Sequence, residues 1–184
     1  PYPHRTLVDY VADLARTQPQ RSALLFKGAR LSYADLHALS DAFAAALHAI
    51  GVARGDRVAL LLPNCPQFCI AELGAWKAGA LVAPLNAIYS DAELEFALRE
   101  EQIDTIVTLT RFYNRIKGLQ PRTALRRIIA TNIKEFFPAY LRLLFTLVRE
   151  RRDGDRVNVR SDDFLFSRLL TEHRGRRPGS APPA

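Results

Sequence analysis

The sequence contains no methionine and only two cysteines among its 184 residues. Cys65 and Cys69 stand four apart with no histidine nearby. That is too few thiols for a disulfide framework and too few ligands for a structural zinc site. Both read as reduced thiols, which fits a cytoplasmic setting. A chain that opens on Pro1 without methionine reads as a trimmed or excised piece. Nothing at its start has the charged-then-apolar form of a secretory signal. No uncharged run approaches the roughly 20 residues needed to span a bilayer.

Motifs of self-contained catalysts are missing too. Gly51, Gly55, Gly74 and Gly79 are too scattered for a GxGxxG turn or a Walker loop. No serine stands in a GxSxG elbow. His4, His37, His48 and His173 lie far apart and read as surface or edge residues. Asp162-Asp163 and Glu100-Glu101 are adjacent carboxylates, and neighbours on a helix diverge. The sequence therefore nominates no catalytic residue and no metal ligand, and leaves cofactor-binding residues unknown.

The positive charge is concentrated. Residues 1–110 carry 9 Lys/Arg against 12 Asp/Glu, residues 111–160 carry 13 against 4, and residues 161–184 carry 4 against 3. A basic block of that kind points to an anionic partner, to a membrane surface, or to a solvated face. One reading is a stand-alone module that uses segment 111–160 on nucleic acid or anionic lipid. Its aromatics are Phe112, Tyr113, Phe136, Phe137 and Tyr140. They stand beside the basic residues, but the apolar stripe of this segment suits packing or lipid better than base stacking.

Local signals are regular up to residue 130. Thr6, Ser32 and Ser90 each stand three residues before an acid, the form of a capping box. They predict helices over 7–16, from Ser32 to a glycine stop at Gly51, and over 90–101. Ala23 to Leu31 reads as a strand and tight turn around Gly28. Residues 57–62 are continuously apolar after Arg57, the mark of a strand buried on both faces of a parallel sheet. Pro66 to Ala78 predicts a helix, and 80–84, 103–109 and 126–130 predict further strands. The alternation favours an α/β fold: an open, mostly parallel sheet with helices on both faces.

Segment 133–152 breaks that rhythm. Phe137, Tyr140, Leu141, Leu144, Phe145 and Val148 have helical spacing, and Arg149 to Arg152 form a basic end. Pro138 fits the first turn of such a helix. Ser161 to Leu170 predicts a last short helix. The organisation expected is a subdomain over 1–172, with a helical insertion at 133–152 and a flexible tail at 173–184.

Three polar residues fall where α/β sites gather. Lys77, in Trp76-Lys77-Ala78-Gly79, reads either as an anion contact or as a favourable charge at a helix end. Asn64 and Asn86 follow strand-ending prolines and read either as ligand contacts or as turn formers.

Leu31-Ser32-Tyr33-Ala34-Asp35-Leu36 resembles the first core motif of the AMP-forming acyl-CoA synthetases, the adenylate-forming superfamily. Residues 57–66 and 76–86 resemble the stretches that follow it, so the likeness covers about residues 5–110. Region 131–170, with Lys134-Glu135-Phe136-Phe137-Pro138, is similar to an insertion of the long-chain fatty acid–CoA ligases. The resemblance implies a parent enzyme that uses ATP, Mg²⁺ and coenzyme A on a fatty acid. It also implies a chain cut before the phosphate loop, inactive alone and holding none of these cofactors. The partners implied are the fatty acid and the remainder of the enzyme. An anionic membrane surface and self-association are also expected, and nucleic acid is not.

Overall fold

The computed structural model describes residues 5–176. Helix α1 (Leu7–Thr17) begins at Thr6, whose side chain accepts from the Asp9 amide while Asp9 accepts from the Thr6 amide. Strands β1 (Ser22–Phe26) and β2 (Ala29–Ser32) form an antiparallel hairpin. Its turn holds Lys27 at φ +50° and Gly28 at φ +87°, the two positive values of a tight primed turn. Helix α2 (Tyr33–Ala49) starts at the Ser32–Asp35 capping box and ends before Gly51 at φ +84°.

Five parallel strands then form one sheet. They are β3 (Arg57–Leu61), β4 (Leu81–Pro84), β5 (Thr105–Leu109), β6 (Arg127–Thr131) and β7 (Phe164–Leu165), in the spatial order β4-β3-β5-β6-β7. Val58, Leu60 and Val107 join one apolar core, while Ala59, Leu61 and Ile106 join the other. Helices α2, α3 (Pro66–Lys77) and α7 (Phe166–Glu172) cover the first face. Helices α4 (Asp91–Glu100) and α5 (Thr110–Leu119) cover the second. The sequence-based expectation of an open parallel sheet with helices on both faces is what the fold shows.

One helix was not anticipated, and two local expectations need correction. Helix α5 has no capping side chain to announce it, yet Tyr113, Ile116 and Leu119 bury one face. The predicted helix through 133–152 is broken. Ile133–Phe136 is a 3-10 turn capped by Asn132, Phe137 is extended at ψ 152°, and α6 (Ala139–Val148) starts after Pro138. The residue before a proline clashes with the pyrrolidine ring in helical geometry, so the helix cannot run through Phe137. Ser161 to Leu170 is not one helix either. Its middle pairs with β6 as β7 before α7 begins.

The expected tail begins inside the fold. His173 is buried at the C-cap of α7, with its Nδ1 3.0 Å from the Leu169 carbonyl oxygen. Residues 177–184 lie outside the described residues.

Two contacts draw the first layer tight. Arg127 on β6 donates to the carbonyls of Ile50 (2.8 Å) and Gly51 (2.6 Å) at the end of α2, and pairs with Asp104 at 2.8 Å. A cation there satisfies carbonyls that the helix cannot pair internally. Gly74 lets α3 approach α2. A Cβ added at this position would lie 2.8 Å from Phe43 Cδ1 and 3.0 Å from the Ser40 carbonyl oxygen. Gly74→Ala should therefore destabilise the chain by about 2 kcal/mol through overpacking, despite alanine's better helix propensity. Urea unfolding measures this; a variant as stable as the parent would show that the helices can move apart freely.

Candidate functional site

In an open α/β sheet, ligand sites collect at the carboxyl ends of the strands where the strand order reverses. Here the reversal lies between β3 and β5. The chain leaves β3 through Pro63 and Asn64 into α3, and leaves β5 directly into α5. Asn64 is exposed at this edge. Cys65 caps α3 without a side-chain hydrogen bond. Burial pushes the Cys65 thiol up to about 11 and raises Cys69 as well, so neither is a ready nucleophile at neutral pH.

Beside the reversal, the ends of β5 and β6 carry a buried polar network. Asp155 is 1% exposed. Arg111 donates to it at 2.7 Å, and the Thr110 hydroxyl donates at 3.3 Å. Asn132 Nδ2 donates to the Asp155 carbonyl and to Glu150, each at 3.2 Å. Gln67, on the first turn of α3, donates to the Asn132 carbonyl at 3.0 Å. Lys134 pairs with Glu150 at 2.6 Å. Glu135 accepts from the Thr131 hydroxyl at 2.8 Å and from the Asn132 amide at 3.1 Å.

Each carboxylate of this network faces donors, and no nucleophile stands against a base. The arrangement latches segment 132–155 onto the carboxyl edge of the sheet. Only its Asn132–Glu135 capping box is local; the ties to Gln67, Glu150 and Asp155 span 18 to 65 residues of chain and carry no sequence pattern.

The residues weighed in the sequence resolve as follows. Lys77 is locked inside the fold: its Nζ donates to Asp41 at 2.7 Å, Ser40 at 2.7 Å and the His37 carbonyl at 3.1 Å. Burial pushes its pKa down, and Asp41 opposes that. It cross-links α3 to α2. Asn86 accepts from the Ile88 amide at 3.1 Å, as a turn former does. Asp162 and Asp163 lie in the turn before β7, not on a helix, and both reach Lys117, at 3.0 and 2.7 Å. Asp163 also accepts from the Tyr113 hydroxyl at 2.6 Å. Among the described residues no three His, Cys, Asp or Glu side chains group to hold a metal.

Glu135 gives the network a pH signature. Burial raises its pKa above the ordinary value of 4.5, against hydrogen bonds from Thr131, Asn132 and Ser167 that lower it. Its contribution to stability is thus full below 4.5 and is lost as pH rises through the raised value. Glu135→Gln removes that titration. The stability of the parent chain relative to Glu135→Gln should fall as pH rises above 4.5 in urea unfolding. A constant difference across that range would refute the assignment.

Comparison with known proteins follows the same architecture. The family of AMP-binding enzymes matches residues 11–164. A long-chain-fatty-acid–CoA ligase of Bacillus subtilis is 34% identical over 154 residues, 83% of this chain and 27% of that protein. A long-chain-fatty-acid-CoA ligase from Archaeoglobus fulgidus superposes with a TM-score of 0.70 at 16% identity, over 94% of this chain and 31% of that one. The N-terminal domain of FACL13 from Mycobacterium tuberculosis gives 0.61 at 29% identity, over 65% of this chain and 32% of that one. The chain spans about a quarter of the length of the curated relative it matches.

Proposed function

The chain belongs to the family of AMP-binding enzymes, and on that premise we propose that it is the N-terminal α/β part of a long-chain fatty acid–CoA ligase. The observation that carries this reading is the 34% identity to such a ligase, held over 83% of the chain. The proposed reaction joins a fatty carboxylate to the α-phosphate of ATP, releasing pyrophosphate, and then moves the acyl group to the thiol of coenzyme A. ATP, Mg²⁺ and coenzyme A belong to the whole enzyme. The residues described here offer no glycine-rich phosphate cradle and no metal cluster, so none of them is assigned to those groups.

The chain's part is architectural. The Asp155–Asn132–Gln67 network fixes one wall at the carboxyl edge of the sheet, where the rest of the enzyme would meet it. The remaining domains of the enzyme are its first partner. As organisation, we keep a subdomain over 1–172 with an insertion at 133–152.

A second reading concerns the surface of α6. Among the described residues no helix is long and apolar enough to cross a membrane. Yet Tyr140, Leu143, Leu147 and Val148 are all at least 60% exposed. Much of the basic block is spent internally: Arg111, Arg115, Lys117, Arg122, Arg127 and Lys134 are all in ion pairs. Arg142, Arg149, Arg151 and Arg152 are left beside the apolar face of α6. An apolar face with arginines at its side suits the interface of an anionic bilayer. It does not suit nucleic acid, because Tyr113 and Phe137 are buried and only Tyr140 stands out. Leu25, Ile88 and Phe96 are further exposed apolar groups through which self-association would run.

Pyrophosphate exchange with a long-chain fatty acid, ATP and Mg²⁺ tests the first reading. The complete polypeptide containing this chain should exchange, and the 184-residue chain alone should stay at buffer level. Turnover by the chain alone, or a complete protein indifferent to fatty acids, would overturn it. Sedimentation with anionic and neutral vesicles tests the second. The chain should follow anionic vesicles only, and Leu147→Asp, on the outer face, should stay in the supernatant while folded. Equal partition of parent and variant would dismiss the membrane surface.

A further inference from the structure

We propose that α6 of one copy of this chain docks in a groove along α4 of a second copy. The groove holds about 530 Å³ and is lined by α4 and the turn before it. Phe96 and Tyr89 give it apolar walls, and Ala92 and Ala97 are small enough to let a second helix come close. Phe96 is 67% exposed, so its own copy leaves most of the ring bare. The charged lining has one sign: Glu93, Glu100 and Glu101, with no basic residue among them. Glu93 is held to Ser90 through one carboxylate oxygen, Oε2. Glu101 has a 3.5 Å contact with Arg57, and Glu100 makes no ion pair among the described residues.

Helix α6 carries the complementary face. Tyr140, Leu143 and Leu147 are exposed at i, i+3 and i+7, the spacing of a helix that enters a groove. Arg149, Arg151 and Arg152 follow at its end, exposed and in no ion pair among the described residues. Both helices have ten residues and so span about 15 Å. Laid parallel and in step, they bring Arg142 beside Glu93 and Arg149 beside Glu100 and Glu101, while the apolar stripe meets Phe96. Laid antiparallel, the three terminal arginines would fall at the other end of the groove, away from Glu100 and Glu101.

Charge decides between the possible pairings. Two α6 faces would set arginine against arginine, and two α4 grooves would set glutamate against glutamate. Only α6 against α4 joins opposite signs around apolar contact. The contact is therefore heterologous, with a different surface on each side. The inference gives the self-association named above its two faces, and it does not rest on the proposed ligase activity. It also makes the groove and an anionic bilayer alternative seats for the same helix.

The test is sedimentation velocity of the 184-residue chain over a concentration series. The parent should associate, and less so as salt rises from about 0.05 to about 0.5 M, because screening removes the arginine–glutamate attraction. Phe96→Asp spoils the groove and Leu147→Asp spoils the helix face. Each alone should weaken association about tenfold or more. Both positions are exposed, so neither change enters the core, and circular dichroism melting confirms that both variants fold. An equal mixture of the two variants should regain a one-to-one complex, because Leu147→Asp keeps an intact groove and Phe96→Asp keeps an intact α6. A monomeric parent would overturn the proposal and leave the two faces to the bilayer and to the rest of the enzyme. Phe96→Asp associating like the parent would overturn it in favour of paired α6 faces, and Leu147→Asp doing so in favour of paired grooves. A mixture that stays monomeric, or association indifferent to salt, would overturn it as well. Phe96→Asp should still follow anionic vesicles, since its α6 is unaltered. Failure here, failure of the membrane reading and failure of the ligase reading are thus separate results.

Discussion

Everything in this molecule depends on two strands that have no face toward water. Val58 to Leu61 on β3 and Thr105 to Leu109 on β5 are buried throughout. A strand in that position must have helices above and below, and its backbone groups must pair on both edges. The strand order follows: β3 sits between β4 and β5, and β5 between β3 and β6. The crossover after β3 lies on one face and the crossover before β5 on the other. The reversal that opens a crevice at the carboxyl edge is thus a consequence of burying β3 first.

The crevice edge is held by polar groups in place of apolar packing. Asp155, Asn132 and Gln67 tie a loop, a strand end and a helix start together within hydrogen-bond distance. The same ties oblige the chain between 132 and 155 to leave the sheet and return. That excursion carries α6, whose ten residues bury one side chain, Phe145. A helix so lightly anchored owes its position to the latch at its two ends and to the Phe26–Phe137–Phe145 contacts. The rigid sheet and the exposed helix are joined by one network, which is why structural and surface roles meet in the same segment.

The parts that were legible in the sequence are those whose cause is local. Three capping boxes, the glycine stop at Gly51 and the apolar run of β3 each act within a few residues. Helix α5 escaped because its start has no capping side chain and its apolar positions are diluted by Arg111, Arg115 and Lys117. The break at Phe137 was hidden because apolar spacing runs across it while the proline's steric effect acts backwards. Strand β7 is two residues long and exists through its register with Ile129 and Ala130. The site was least legible of all. Gln67 and Asn132 are 65 residues apart, and Thr110 and Asp155 are 45 apart. Lys77 shows the converse: its motif was visible, but only the fold tells that Asp41 and Ser40 surround it.

The central place of β3 has a consequence for the newborn chain. Leu61 leaves the ribosome 48 residues before Leu109, the last residue of its second neighbouring strand. At about 5–20 residues per second, that interval is about 2–10 s. During it a strand apolar on both sides can have one edge unpaired and one face uncovered, the state most open to pairing with another chain. Synthesis of this protein therefore passes through a window in which its central strand exists without the neighbours that pair and cover it in the finished fold.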